Sequence, residues 1–317
     1  METGTIEAGG KQAELTKNEL RIMYYLFEHD GVICTRADLI EYLWDNRLYS
    51  DTSYHNEELK SLTRYRFDKV KERAKLKSSV SRLVCILFPE LERLVPTLHM
   101  ASVYALLCGF PSADAVANAH LTRLSNLLFD SSKGRYGKDT AVMFRDAARS
   151  SIGSHMPAKS LKLKHTIKLI RELAIEIDEI EAAIKRIMDE EIQSPIFTIP
   201  GISYRMGAMI IAEIGDFSRF IPQIIFAYAG MSPSTYQSGQ LDNCYSHMEK
   251  RGSRYFRYAL YNATKYVCHW DKSFGAYLEK KRSEGKHYNV AISHAAKKLV
   301  RLIFAMEKSG KAYLPTA

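Results

Sequence analysis

Apolar positions along the chain recur mainly at three- and four-residue intervals, the period of helices that bury one face. Leu163, Thr166, Ile170, Leu173, Ile177, Ile180, Ile184 and Ile187 hold a/d spacing for more than three heptads, broken only by Thr166. The spacing predicts a coiled coil over residues 159–192, with a helix packed on its own domain as the alternative. A long basic helix is expected from Glu57 to about Leu87 and shorter ones over 101–107, 113–128 and 138–148. Near the end, Phe274, Tyr277, Leu278 and Lys281 mark one helix, while Ile292, Ala296, Leu299, Ile303 and Met306 give another a buried stripe. The expected class is mainly α, with strand confined to a short hairpin near Gly9-Gly10.

Punctuation divides this pattern. Leu15-Thr16-Lys17-Asn18-Glu19 has the capping-box order, and Leu20, Met23, Tyr24 and Phe27 then share a helix face. A second helix is expected from Thr35 to Trp44. Pro200-Gly201 stops one segment before a helix from Met206 to Ile214 that ends at Gly215-Asp216. A glycine turn before such a helix fits either a helix-hairpin-helix contact to phosphate or a plain packed helix start. From Phe226 to about Cys244 no helical period holds, and Ser238 beside Gly239 reads as a turn residue or as a hydroxyl that a phosphate can approach. Ser131-Ser132-Lys133-Gly134-Arg135-Tyr136-Gly137 lacks Walker spacing and reads as a phosphate-backbone contact or a plain turn.

Charge separates the two ends of the chain. From Ile196 onward there are 17 Lys+Arg against 8 Asp+Glu, a net of +9, which equals the formal charge of all 317 residues. Lys250, Arg251, Arg254 and Arg257 recur at helical spacing with Tyr255, Phe256 and Tyr258 interleaved, a pattern suited to phosphates. The long helix adds Arg64, Arg66, Lys69, Lys71, Arg73, Lys75 and Lys77, which fit a nucleic-acid backbone or a solvated face equally. No apolar run reaches membrane-spanning length, so a cytoplasmic protein without a membrane partner is expected. The five cysteines lack CxxC spacing and read as reduced thiols, and the histidines show no metal-ligand spacing.

Several motifs now stand in order: Ile199-Pro200-Gly201-Ile202, Ala212-Glu213-Ile214-Gly215-Asp216-Phe217-Ser218-Arg219-Phe220, Ala227-Tyr228-Ala229-Gly230-Met231-Ser232-Pro233, Tyr236-Gln237-Ser238-Gly239 and Lys250-Arg251-Gly252-Ser253-Arg254-Tyr255. Through them the chain, from about Tyr49 onward, resembles the DEDD-type insertion-sequence transposases that are guided by a bridge RNA. The resemblance implies that Ser238 is a nucleophile on DNA. It further implies that Gly201, Gln237, Gly239, Lys250, Arg251, Arg254 and Arg257 contact nucleic acid. DNA and a bridge RNA become the expected partners, with a homo-oligomer formed through the coiled coil. The pattern departs from the family at Ser203, where a second glycine is usual, and at Glu249, where a serine is usual.

The first segment, 1–46, resembles part of the winged-helix domain of two-component response regulators through Glu14-Leu15-Thr16-Lys17-Asn18-Glu19-Leu20-Arg21-Ile22 and Arg36-Ala37-Asp38-Leu39-Ile40-Glu41-Tyr42-Leu43-Trp44. Residues 47–158 are expected to be a helical linker and 193–317 the C-terminal transposase domain. The family's acidic ribonuclease-H-like motifs do not occur, and Asp38, Asp45 and Asp51 are isolated. The expectation is therefore a truncated or chimeric DNA recombinase, inactive alone. No cofactor is expected on this chain, and magnesium would be needed with the missing acidic domain. A non-catalytic DNA-binding regulator is the alternative.

Overall fold

The computed structural model describes residues 4–8, 11–15, 17–31, 34, 51–217, 220, 222–232, 237–238, 241–242, 248 and 250–315. At the start, β1 (Gly4–Ala8) pairs antiparallel with β2 (Lys11–Leu15), and Ala8 faces Lys11 across the expected Gly9-Gly10 position. Helix α1 (Lys17–Glu28) follows, with Tyr24 and Phe27 exposed on the face expected to be apolar. Its expected cap Thr16 and the second helix over 35–44 lie outside the described residues.

Residues 62–186 form one compact unit, and 1–61 with 187–317 form another. The basic helix is a single element, α2 (Asp51–Leu87), which ends just before Pro89. Helices α3 (Leu91–Leu94), α4 (Ala101–Gly109), α5 (Ala113–Ala117), α6 (Leu121–Ser132) and α7 (Lys138–Arg149) follow. The helix expected over 113–128 is thus two, interrupted after Asn118, a residue whose side chain competes with the helical backbone. The glycine loop after α6 is a turn: Lys133 ends the helix at φ 56 and Gly134 follows at φ 80.

Helix α8 (Pro157–Glu190) carries the heptad stripe. Leu163, Thr166, Ile170, Leu173, Ile177 and Ile180 are all buried within the single chain. Leu163, Ile167 and Ile170 join Val80, Leu83, Val84 and Leu87 of α2 in one core. Arg66 pairs with Glu181 at 2.7 Å and Lys69 with Glu176 at 2.6 Å, so ascending positions on α2 meet descending ones on α8. The two helices are an antiparallel pair. This packing covers those side chains within one chain, as the alternative of a helix packed on its own domain expects. It also engages Arg66 and Lys69 in ion pairs rather than leaving both for a nucleic-acid backbone. Each buried Leu or Ile contributes about 1.5–3 kcal/mol, so the stripe supplies the stability, and the pairs set the register.

Ile177→Asp with Ile180→Asp is accordingly expected to destabilise the chain by several kcal/mol in chemical denaturation while the sedimentation coefficient of the folded fraction stays unchanged. Undiminished stability with a halved mass would instead place the stripe between two copies.

In the other unit, a 3-10 turn (Pro195–Thr198) leads to α9 (Tyr204–Ile214), α10 (Pro222–Tyr228), α11 (Arg254–Trp270), α12 (Lys272–Ser283) and α13 (Tyr288–Ser309). Helix α9 is buried from Gly207 to Ile214, and α9 and α11 pack together. The small side chains of Ala208, Ala212, Ala259 and Ala263, all buried, suit that close approach. The five stripe residues expected on the last helix are buried on α13. Strand is not limited to the first hairpin: β3 (Gln237–Ser238) pairs with β4 (Leu241–Asp242), Ser238 opposite Leu241.

Candidate nucleic-acid interface

Three of the sequence motifs meet at the start of α11. Ser253 caps the helix by accepting from the Phe256 N–H at 3.1 Å, and its hydroxyl donates to Glu213 at 2.6 Å. Glu213 is buried at the end of α9, so the one carboxylate of that helix anchors the basic one. Sequence reading passed over it, although a lone carboxylate in Met209-Ile210-Ile211-Ala212-Glu213-Ile214 was the available signal.

The turn after α10 and the loop before α11 interlock. Ser253 N–H donates to Tyr228 O at 2.9 Å, and Lys250 N–H donates to Gly230 O at 3.2 Å. Gly230 has φ 63, and a Cβ there would lie 2.0 Å from Arg251 O. Gly252 has φ 93, and a Cβ there would lie 2.2 Å from Tyr228 O. Neither contact admits a side chain, which is why Ala-Gly-Met and Lys-Arg-Gly-Ser occur together.

This clamp decides what the basic residues do. Arg257, half-buried, donates from Nη1 to Ala229 O at 3.1 Å and Lys250 O at 3.2 Å, so its guanidinium holds the loop. Lys250, Arg251 and Arg254 are exposed, and Arg254 lies over the Tyr255 ring at 4.7 Å. Cations at a helix N-terminus oppose the macrodipole by about 0.3–1 kcal/mol each, a cost that an anion seated there reverses. Gly201, by contrast, is accounted for by packing: at φ 89, its Cβ would come within 2.6 Å of the Tyr266 backbone. The helix after it is capped by Ser203, which accepts from the Met206 N–H at 3.4 Å, at the position where the resemblance departs.

An open groove of about 440 Å³ lies beside α11, with Lys250, Arg254 and Arg257 on its basic side and Tyr258, Tyr261 and Asn262 along it. Asn289 and Ser293 of α13 also line it, and the described lining residues include no carboxylate. Tyr261 donates to Asn289 Oδ1 at 2.7 Å, and burial followed by the neighbouring Tyr288 pushes its phenol above the usual range. These four polar residues carried no signal in the sequence, because α11 and α13 meet only in the folded chain.

Met231 and Met248 also line the groove. These two methionines flank Gln237 and Ser238 in the sequence. Gly239 lies outside the described residues, as do the side chains of Gln237 and Ser238. Among the described residues no group of three or more His, Cys, Asp or Glu side chains is placed to hold a metal ion. No described helix is long and apolar enough to cross a membrane.

Residues 193–279 match the family model for transposases of the IS116/IS110/IS902 family, and residues 10–56 match that for the C-terminal part of transcriptional regulatory proteins. The chain is 26% identical over 266 residues to an uncharacterized 42 kDa protein of insertion element IS900 from Mycobacterium paratuberculosis. It is 25% identical over 267 residues to a 44.8 kDa protein of IS116 from Streptomyces clavuligerus. Each alignment covers 81% of this chain and 65% of the relative. A 43.6 kDa protein of IS110 from Streptomyces coelicolor is 27% identical over 136 residues, 42% of this chain and 33% of the relative. The chain thus spans less than two thirds of the curated relatives it matches. Its likeness is to a transposase family model over residues 193–279, to uncharacterized insertion-element proteins over most of its length, and to the C-terminal part of transcriptional regulatory proteins over residues 10–56.

Proposed function

We propose that this chain is the DNA-handling portion of an insertion-element transposase, with Ser238 as its nucleophile. The observation that carries the reading is the groove: its described lining residues include three basic side chains and no acid, and Met231 and Met248, on either side of Ser238 in the sequence, both belong to it. In the proposed step the Ser238 hydroxyl oxygen bonds to phosphorus as one P–O bond to the sugar breaks. The hydroxyl proton passes to a base, and the leaving oxygen takes up a proton. The described residues do not fit a magnesium ion, so no step is derived through one. In this reading the acids that hold it belong to a separate polypeptide segment. The guide RNA implied by the resemblance would be a second nucleic-acid partner.

The electrostatic half of the proposal is tested with the full chain and duplex DNA. Affinity is expected to fall steeply with salt, with a log-log slope of about −0.9 per phosphate neutralised. Arg254→Ala should flatten the slope by about one unit without changing stability, since Arg254 is exposed. Arg257→Ala should lower stability instead, because its guanidinium holds two carbonyl groups. Salt-independent binding would remove the DNA assignment. The second reading, a DNA-binding regulator without catalysis, is favoured by the match over residues 10–56 and predicts the same salt slope with no covalent adduct.

A further inference from the structure

Beyond the groove, α11 keeps large aromatic side chains in solvent. Tyr258 is 39% exposed, Tyr266 57% and Trp270 66%. With Asn262 they stand at four-residue intervals, so they form one row along the helix, about 6 Å apart in rise. Burying them would have stabilised the domain, yet the opposite face of α11 takes all the packing through Phe256, Ala259, Leu260, Ala263 and Val267. The row is continuous with the groove, because Tyr258 and Asn262 belong to both. Its head carries Lys250 and Arg254, and Lys265 stands beside it with its ammonium over the Tyr261 ring at 4.7 Å. Asn262 donates its amide to Tyr258 O at 2.8 Å, which leaves its carboxamide oxygen as the remaining acceptor within the row.

Cations at one end and a ladder of exposed rings at the other match the two parts of an unpaired DNA strand: phosphates for the cations and base faces for the rings. A duplex hides its base faces, so rings on a convex helix gain nothing from it. We propose that Tyr258, Tyr266 and Trp270 form a stacking platform for a single DNA strand that leaves the groove along α11. This assignment rests on the DNA-handling reading and adds the strand state of the ligand. Strand exchange separates one strand from its complement, and the platform would hold it out of the duplex.

The test compares a short oligothymidylate with a duplex of equal length on the full chain, by fluorescence titration. Tyr266→Ala with Trp270→Ala should weaken single-strand binding roughly tenfold or more, since each stacked base is lost separately. Duplex affinity should change by less than about twofold, and the salt slope should not change, because no charge is removed. Tyr266→Phe with Trp270→Phe should restore single-strand binding. Unchanged single-strand affinity in the alanine variant would overturn the platform, as would an equal loss on duplex. Tighter binding of the same sequence as RNA would overturn its assignment to DNA. A changed sedimentation coefficient with intact single-strand binding would make the row a protein contact. If the unaltered chain bound neither strand nor duplex in a salt-dependent way, the DNA-handling reading itself would fall.

Discussion

Ser238→Ala is expected to abolish any covalent protein–DNA adduct formed when an acidic ribonuclease-H-like domain is supplied in trans with magnesium. The loss should be on the order of a thousandfold or more, because without the hydroxyl oxygen no bond to phosphorus forms and no neighbouring group takes over its proton transfer. Duplex binding should remain within about twofold, since the hydroxyl carries no charge and the groove keeps Lys250, Arg254 and Arg257. The adduct is read on a denaturing gel with end-labelled DNA, which separates chemistry from affinity. An adduct persisting in the variant would place the nucleophile elsewhere, with Ser232, Ser234 and Ser246 in the same segment the next to replace. No adduct in the unaltered protein, with binding intact, would favour the regulator.

Gly230→Ala should cost about 2–5 kcal/mol, a large stability effect for a single methyl group. One part is the positive φ, about 1–2 kcal/mol for an L side chain. The rest is overpacking, since the new Cβ would lie 2.0 Å from Arg251 O and 2.5 Å from Arg257 Nη1, and such insertions cost roughly 1–3 kcal/mol. Gly310→Ala is the control: its φ of 65 is close to that of Gly230, but nothing lies within 4 Å of its Cβ, so about 1 kcal/mol is expected. The midpoint of chemical denaturation compares the two. Equal effects would mean that the clamp between Gly230 and the Lys250–Ser253 loop yields without strain. Because that clamp sets where Lys250 and Arg254 stand, Gly230→Ala should also weaken duplex binding at a temperature where the variant is still folded.

Periodicity and punctuation are local properties, and they were legible. The stripe on α13, the extent of α8 and the stop at Pro200-Gly201 follow from spacing that any single helix or turn must satisfy. The concentration of positive charge after Ile196 is likewise a property of composition, and it pointed to phosphate before any fold was known. The order of the five motifs placed Ser238 and the basic residues in one domain.

What covers each face was not legible, because a period marks which side is buried and not what lies against it. The stripe from Leu163 to Ile187 reads identically whether α2 or a second copy covers it, and the core shared with Val80, Leu83, Val84 and Leu87, together with the pairs Arg66–Glu181 and Lys69–Glu176, identifies the partner within residues 62–186. Gly201 and Arg257 looked like phosphate contacts because glycine and arginine suit phosphate. Their neighbours are backbone atoms of Tyr266 for the first, and of Ala229 and Lys250 for the second. Tyr261 and Asn289 lie 28 residues apart and come together only when α11 packs on α13. By itself the sequence determined the long helices α2 and α8, the buried side of α13 and the concentration of positive charge after Ile196. Long-range packing decided which charged groups were left for a ligand, since a side chain's partners depend on contacts that no local pattern encodes.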